Sequence, residues 1–193
     1  MRGMRPDPYP HAAVGFGALG VVMAKQPANE RSAPDLFDRT EEFVGGKTER
    51  HLIIEADGGA RGNPGPAAYG AVVRDGQTSK VLAAEGLPIG RATNNVAEYR
   101  GLIAGLEMAR ELDPTAALEV RMDSKLVIEQ MAGRWKIKHA DMKVLALEAA
   151  RLRPAAVTWT WVPRELNKAA DALVNRALDG DPVPRQYTVD RPS

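Results

Sequence analysis

From residue 51 onward, apolar and polar positions recur first with the period of strands and then with that of helices. HLIIEAD (His51–Asp57) is an apolar run that ends on a carboxylate, and AYGAVVRDG (Ala68–Gly76) closes on an Asp-Gly turn signal. SKVLAAEGLP (Ser79–Pro88) follows at once, so these three runs predict an antiparallel meander. The period then lengthens. TNNVAEYRGLIAGLEMARELD predicts a helix from about Asn95 to Leu112, with Thr93 or Asn94 as N-cap and Pro114 beyond its end. ALEVRMDS is a fourth strand, and SKLVIEQMAG a short helix closed by Gly133. ADMKVLALEAARL is a further helix, AVTWTWVP a fifth strand, and NKAADALVNRALDG a last helix ending at Gly180. The order βββαβααβα predicts an α/β fold: a five-stranded mixed sheet, three strands antiparallel and then two parallel, flanked by helices. Trp159 and Trp161 alternate with Thr158 and Thr160 on the fifth strand and read as core.

Residues 1–50 carry no such period. They hold Pro6, Pro8, Pro10, Pro27 and Pro34, and Ala12–Ala24 is apolar but too short and glycine-interrupted to span a bilayer. Arg2 and Arg5 before that run give a weak signal-peptide pattern; a disordered extension, or Met23 as the working start, fits better. Asp35–Gly46 allows one or two amphipathic turns. Three parts are therefore expected: an extension over 1–50, a folded domain over 51–180 and a tail over 181–193.

Composition narrows the chemistry. At 193 residues, 44% hydrophobic and 26% charged, the chain suits one cytoplasmic globular domain with an appendage. It has no cysteine, which excludes disulfides and thiolate chemistry, and only three histidines, so a metal here would be held by oxygen. With a net charge of +1, a nucleic-acid partner requires local basic patches. GRWKIKHADMK supplies one, with Arg134, Lys136, Lys138, His139 and Lys143 around Trp135.

Four carboxylates stand in unusual places. Glu98 shares a helix face with Leu102, Leu106 and Ala109, and Asp171 shares one with Val174 and Leu178. An acid on an apolar face costs free energy unless it is paired or ligates a cation. Asp57 and Asp123 each end a predicted strand, where open α/β sheets place their sites. Taken singly, each has a plain explanation as a turn former, a cap or a first-turn acid. Together, without histidine or cysteine, they describe a hard-cation site suited to Mg²⁺. Two such ions roughly 4 Å apart would activate water and stabilise the leaving oxygen of a phosphoryl displacement.

DGGARGNPGPAAYG, TNNVAEYRGLIAGLEMA, VRMDSKLVI and NKAADALVNRAL resemble the type 1 ribonucleases H, over about residues 51–180. The resemblance implies that fold and an endonuclease, dependent on two Mg²⁺ ions with Mn²⁺ as substitute, that cuts the RNA strand of RNA–DNA hybrids. It makes Asp57, Glu98, Asp123 and Asp171 the catalytic metal ligands, with Asp57 bridging both ions. An enzyme for hybrids must sense a 2′-hydroxyl, and Gly59, Asn63 and Asn94 match the positions that contact RNA. Arg91 and Thr93 match a pocket for a phosphate of the DNA strand, where His139 would replace an asparagine. Trp135 and Arg164 are auxiliary candidates. The five glycines between Gly58 and Gly70 are expected to let backbone approach a ribose.

Two departures stand out. Many relatives insert a basic helix-and-loop protrusion where only about seven residues intervene here. Many carry a histidine in a long loop before the last aspartate, where this chain has PRELNK with Arg164. The rival readings are a junction resolvase-like nuclease of the same superfold and a non-catalytic hybrid-binding module. A monomer with no membrane association is expected.

Overall fold

The computed structural model describes residues 50–188. The expectations for the extension over 1–50, apart from residue 50, and for residues 189–193 of the tail lie outside the described residues. Among the latter no helix is long and apolar enough to cross a membrane.

Three strands, β1 (His51–Ala60), β2 (Gly65–Asp75) and β3 (Val81–Ala92), form the antiparallel meander. Helix α1 (Asn94–Leu112) follows, capped by Thr93, whose Oγ1 accepts from the Val96 amide at 3.4 Å. Next come β4 (Ala117–Met122), α2 (Lys125–Met131), α3 (Ala140–Leu152) and β5 (Val157–Trp161). A single 3₁₀ turn, Arg164–Leu166, leads into α4 (Lys168–Leu178). β4 pairs in parallel with both β1 and β5, as the intervening helices require.

Among the described residues the sheet has six strands, not five, in the order β5-β4-β1-β2-β3-β6. The sixth, β6 (Val183–Tyr187), lies in the segment expected to be tail and pairs antiparallel with β3. Pro184 sits inside this five-residue run, and proline in a strand is tolerated at a sheet edge. The ladder is irregular there, with a register shift between Ala84 and Gly86 of β3.

Helices cover both faces. Leu52, Ile54 and Ala56 of β1 and Leu118, Val120 and Met122 of β4 pack in one cluster with Leu102 and Leu106 of α1 and Leu145 of α3. On the other face α4 lies over β2, β3 and β6, with Leu173 against Val72 and Val183, and Val174 and Ala177 against Ala68. This two-sided burial explains why β1 reads as a continuous apolar run rather than an alternating one. Trp159 packs partly buried against the main cluster, but Trp161, expected in the core, is 49% exposed. It ends a short edge strand, and its indole turns to the Asp123 carbonyl rather than into the cluster.

β1 also runs past Asp57, the residue expected to end it. The parallel ladder with β4 stops at Glu55↔Arg121, while the antiparallel ladder with β2 continues to Ala60↔Ala67. Asp57 thus stands where β1 parts from β4, and a cleft opens there.

Candidate metal centre

Backbone proximity assembles the cleft. A Cβ on Gly58 would lie 2.1 Å from the Ala97 carbonyl carbon and 2.1 Å from the Glu98 nitrogen. Only glycine lets α1 lie this close on β1, and that contact brings Glu98 to Asp57. Gly70 serves α4 in the same way, since its Cβ would meet the Ala170 carbonyl oxygen at 2.3 Å. These two glycines were expected to make room for a ribose; the structure assigns them to helix–sheet packing. Gly59 does line the cleft.

Asp57 is buried, and its Oδ1 accepts from the Gly58 amide at 2.8 Å. Asp123 lies in the bend between β4 and α2. Its Oδ1 accepts from Asn167 Nδ2 at 2.8 Å, and its carbonyl oxygen accepts from Trp161 Nε1 at 3.0 Å. Asp57, Glu98 and Asp123 each offer one oxygen, all within 4.8 Å of one another.

The Asp57 and Glu98 carboxyls, buried and close to other acids, cannot ionise freely. Burial first, and then the charges of Asp123 and Asp171, push Asp57 up to about 7, against the Gly58 amide and Arg164. Burial, then Asp57 and Asp123, raises Glu98 well above its ordinary value. Glu98 Oε2 is buried without a hydrogen-bond partner. An all-oxygen donor set with an orphaned carboxylate oxygen fits a hard divalent cation.

Asp171, the fourth predicted ligand, lines the same cleft from the first turn of α4 but is not one of the three clustered acids. Its Oδ1 pairs with Arg164 Nη2, and its Oδ2 accepts from Asn175 Nδ2 at 3.0 Å.

Asn63 and Asn94 meet at the rim. The Asn94 amide donates to Asn63 Oδ1 at 3.2 Å, and the Ala60 amide donates to Asn94 Oδ1 at 2.8 Å. Each carboxamide oxygen is committed to backbone, so what each can offer a ligand is its NH₂, a donor. Beyond the rim, Thr93, Asn63 and His139 line one shallow cleft, and Arg91, Thr93 and Arg100 an adjoining one; Asp141 borders both. Trp135 is 47% exposed and is not among the residues lining the carboxylate cleft. Arg134 folds back onto Glu129, with Nη2 to Oε1 at 3.0 Å, which leaves the basic strip smaller than its sequence.

Sequence reasoning passed over Asn167. It precedes α4, yet its side chain makes no cap hydrogen bond, is fully buried and reaches Asp123 from beneath the cleft. Arg61, donating to the Leu178 carbonyl at 3.1 Å, and Asn175 also line the cleft and were missed.

A family model described as reverse transcriptase-like matches residues 55–177. A ribonuclease HI from Halobacterium salinarum is 46% identical over 171 residues, 88% of this chain and 83% of that protein. The chain belongs to the type 1 ribonuclease H family. A bifunctional protein from Mycobacterium tuberculosis is 58% identical over 130 residues, 66% of this chain, and the chain spans 35% of that relative's length. Among solved structures, LC11-RNase H1 in complex with RNA/DNA hybrid is 41% identical, with a TM-score of 0.63, over 67% of this chain and 97% of that one. Against the ribonuclease H pattern, the connection from α2 to α3 is short, residues 132–139, and holds no further helix. Arg164, the residue noted in the short PRELNK loop, opens the 3₁₀ turn before α4.

Proposed function

We propose that this chain is an endoribonuclease that hydrolyses the RNA strand of RNA–DNA hybrids with two Mg²⁺ ions, for which Mn²⁺ can substitute. The observation that carries the reading is the convergence of Asp57, Glu98 and Asp123 oxygens beside the linked pair Asn63 and Asn94. Asp57, Glu98, Asp123 and, on the facing wall, Asp171 are the residues that would hold the ions. When bound, the ions supply an activated water and charge stabilisation for the leaving oxygen.

The chain's own residues divide the remaining work. The Gly58 amide and Asn167 hold the Asp57 and Asp123 carboxylates in place. The NH₂ groups of Asn63 and Asn94, with the backbone at Gly59, read the 2′-hydroxyl, the feature that separates RNA from DNA. Arg91, Thr93 and His139 bind a phosphate of the DNA strand at the start of α1, a setting that favours anions. Arg164 reaches the scissile phosphate from the rim. Trp135 and the lysines near it add a weak, salt-sensitive grip.

In this reading the enzyme works as a monomer in the cytoplasm. The deciding experiment compares cleavage of labelled hybrid, duplex RNA and duplex DNA with Mg²⁺, with Mn²⁺ and with chelator. Hybrid cleavage that depends on divalent cation supports the assignment. Binding of hybrid without cleavage would make the chain a recognition module, and cutting of branched DNA in preference to hybrid would make it a resolvase.

A further inference from the structure

Asp171 differs from the other three acids in already having a cation beside it. Arg164 Nη2 pairs with Asp171 Oδ1, whereas Asp57, Glu98 and Asp123 form no salt bridge among the described residues. The two partners differ in freedom. The Asp171 side chain is 26% exposed and also held by Asn175, while that of Arg164 is 70% exposed at the cleft rim. The guanidinium charge is nonetheless felt at Asp57 and Glu98, so it stands in electrostatic contact with the whole cluster. A divalent cation and a guanidinium cannot share one carboxylate without mutual repulsion. An exposed ion pair is weak enough to be exchanged.

We propose that Arg164 is an internal counter-ion for Asp171 that a divalent cation must displace, so that Arg164 sets how much cation the cleft needs before Asp171 serves as a ligand. The proposal rests on the metal-dependent reading of the cleft. Arg164 is a positioning residue in this role: it holds Asp171 on the far wall until a stronger cation arrives. Its freed guanidinium, planar and forked, then suits a phosphate.

The test is equilibrium Mn²⁺ binding to the full chain, stripped of metal and without nucleic acid, followed by the signal of free Mn²⁺. Wild type is compared with R164Q, R164K, D171N and R164Q/D171N. R164Q should bind its weaker Mn²⁺ roughly three- to tenfold more tightly than wild type, the range expected for removing an exposed pair and its repulsion. R164K, which keeps the charge, should fall between. In the D171N background, R164Q should add nothing. An unchanged or weakened second ion in R164Q, an equal gain without Asp171, or no second ion in any variant overturns the counter-ion role and leaves the metal reading standing. No Mn²⁺ bound by any protein overturns the metal reading itself.

Discussion

Asn167 donates one amide hydrogen to Asp123 Oδ1 at 2.8 Å and the other to the Ala56 carbonyl at 2.8 Å, from a fully buried position. One side chain thus ties the start of α4 to β1, which carries Asp57, and to the bend after β4 that carries Asp123. In Asn167→Ala the Ala56 carbonyl loses its partner, and Asp123 becomes free to rotate. Leaving a buried acceptor unsatisfied costs about 1–3 kcal/mol of stability. Turnover on hybrid should fall roughly 10- to 100-fold, as for other residues that orient metal ligands, with little change in KM. Asn167→Asp should be worse, since it sets a further negative charge against Asp123. Thermal melts and steady-state cleavage separate the two effects, and wild-type turnover in Asn167→Ala would remove Asn167 from the site.

The clustered acids make the metal-free protein sensitive to pH. An ordinary aspartate releases its proton near 3.8, whereas Asp57 in the fold holds it up to about 7. Between those values the native state binds a proton that the unfolded chain has lost, so stability falls as pH rises through the window. Glu98 is shifted in the same direction. With chelator present, unfolding should therefore be harder at pH about 5 than at about 7.5. Asp57→Asn should flatten that slope and stabilise the protein near neutrality by on the order of 1–4 kcal/mol, while abolishing cleavage. Mg²⁺ should stabilise wild type and not the variant. Denaturant titrations across pH, with and without Mg²⁺, check both statements.

How much of this was legible depended on whether a signal was local. β1 to β5 and the four helices follow from apolar period, caps and turn residues, each carried by neighbours in sequence. β6 was hidden because Pro184 breaks a five-residue run that only pairing with β3 makes a strand. The four acids could be singled out because each violates its own surroundings. Their division into three and one could not, because Arg164 and Asp171 meet through a turn whose geometry the sequence does not state. Asn167 was passed over because caps and site residues occupy the same position before a helix. Gly58 was read as room for a ribose because nothing in its neighbourhood shows that α1 lies 2.1 Å from its missing Cβ. Trp161 was placed on the same face as Trp159 but sits at the last position of an edge strand, where it is 49% exposed.

Asn94 allows recognition to be separated from architecture. Its Oδ1 holds the Ala60 amide, and its NH₂ is what the proposed reading aims at a ribose. Asn94→Asp keeps an acceptor for Ala60 and removes the donor. It should lower kcat/KM on hybrid by roughly tenfold, the worth of one hydrogen bond to a buried partner, while the metal requirement stays unchanged. Asn94→Ala removes both and should also loosen the loop. Cleavage ratios of hybrid to duplex DNA provide the check, and an unchanged ratio in both variants would count against ribose reading by Asn94.

A chain shortened to begin at residue 50 retains every described element that lines the cleft. Its hybrid cleavage should match that of the full chain. A truncated protein that folds, by circular dichroism, but cuts poorly would give the first 49 residues a part in substrate handling.

Arg185 anchors the last strand. It donates to Glu85, to Glu107 at 2.6 Å and to Glu111 at 2.7 Å, joining β6 to β3 and to α1. The Glu85 side chain is only 4% exposed and also accepts from the Tyr69 hydroxyl. Arg185→Ala would leave that carboxylate buried without its cation, a loss of about 3–5 kcal/mol. Pairing it with Glu85→Gln removes the uncompensated charge, so the double variant should recover part of the loss. β6 is at the opposite edge of the sheet from β5, and none of these residues lines the carboxylate cleft. Folded Arg185→Ala should therefore keep wild-type Mg²⁺ dependence and turnover. Urea titration of the two single variants and the double measures the coupling, and strictly additive losses would show that Arg185 and Glu85 act independently.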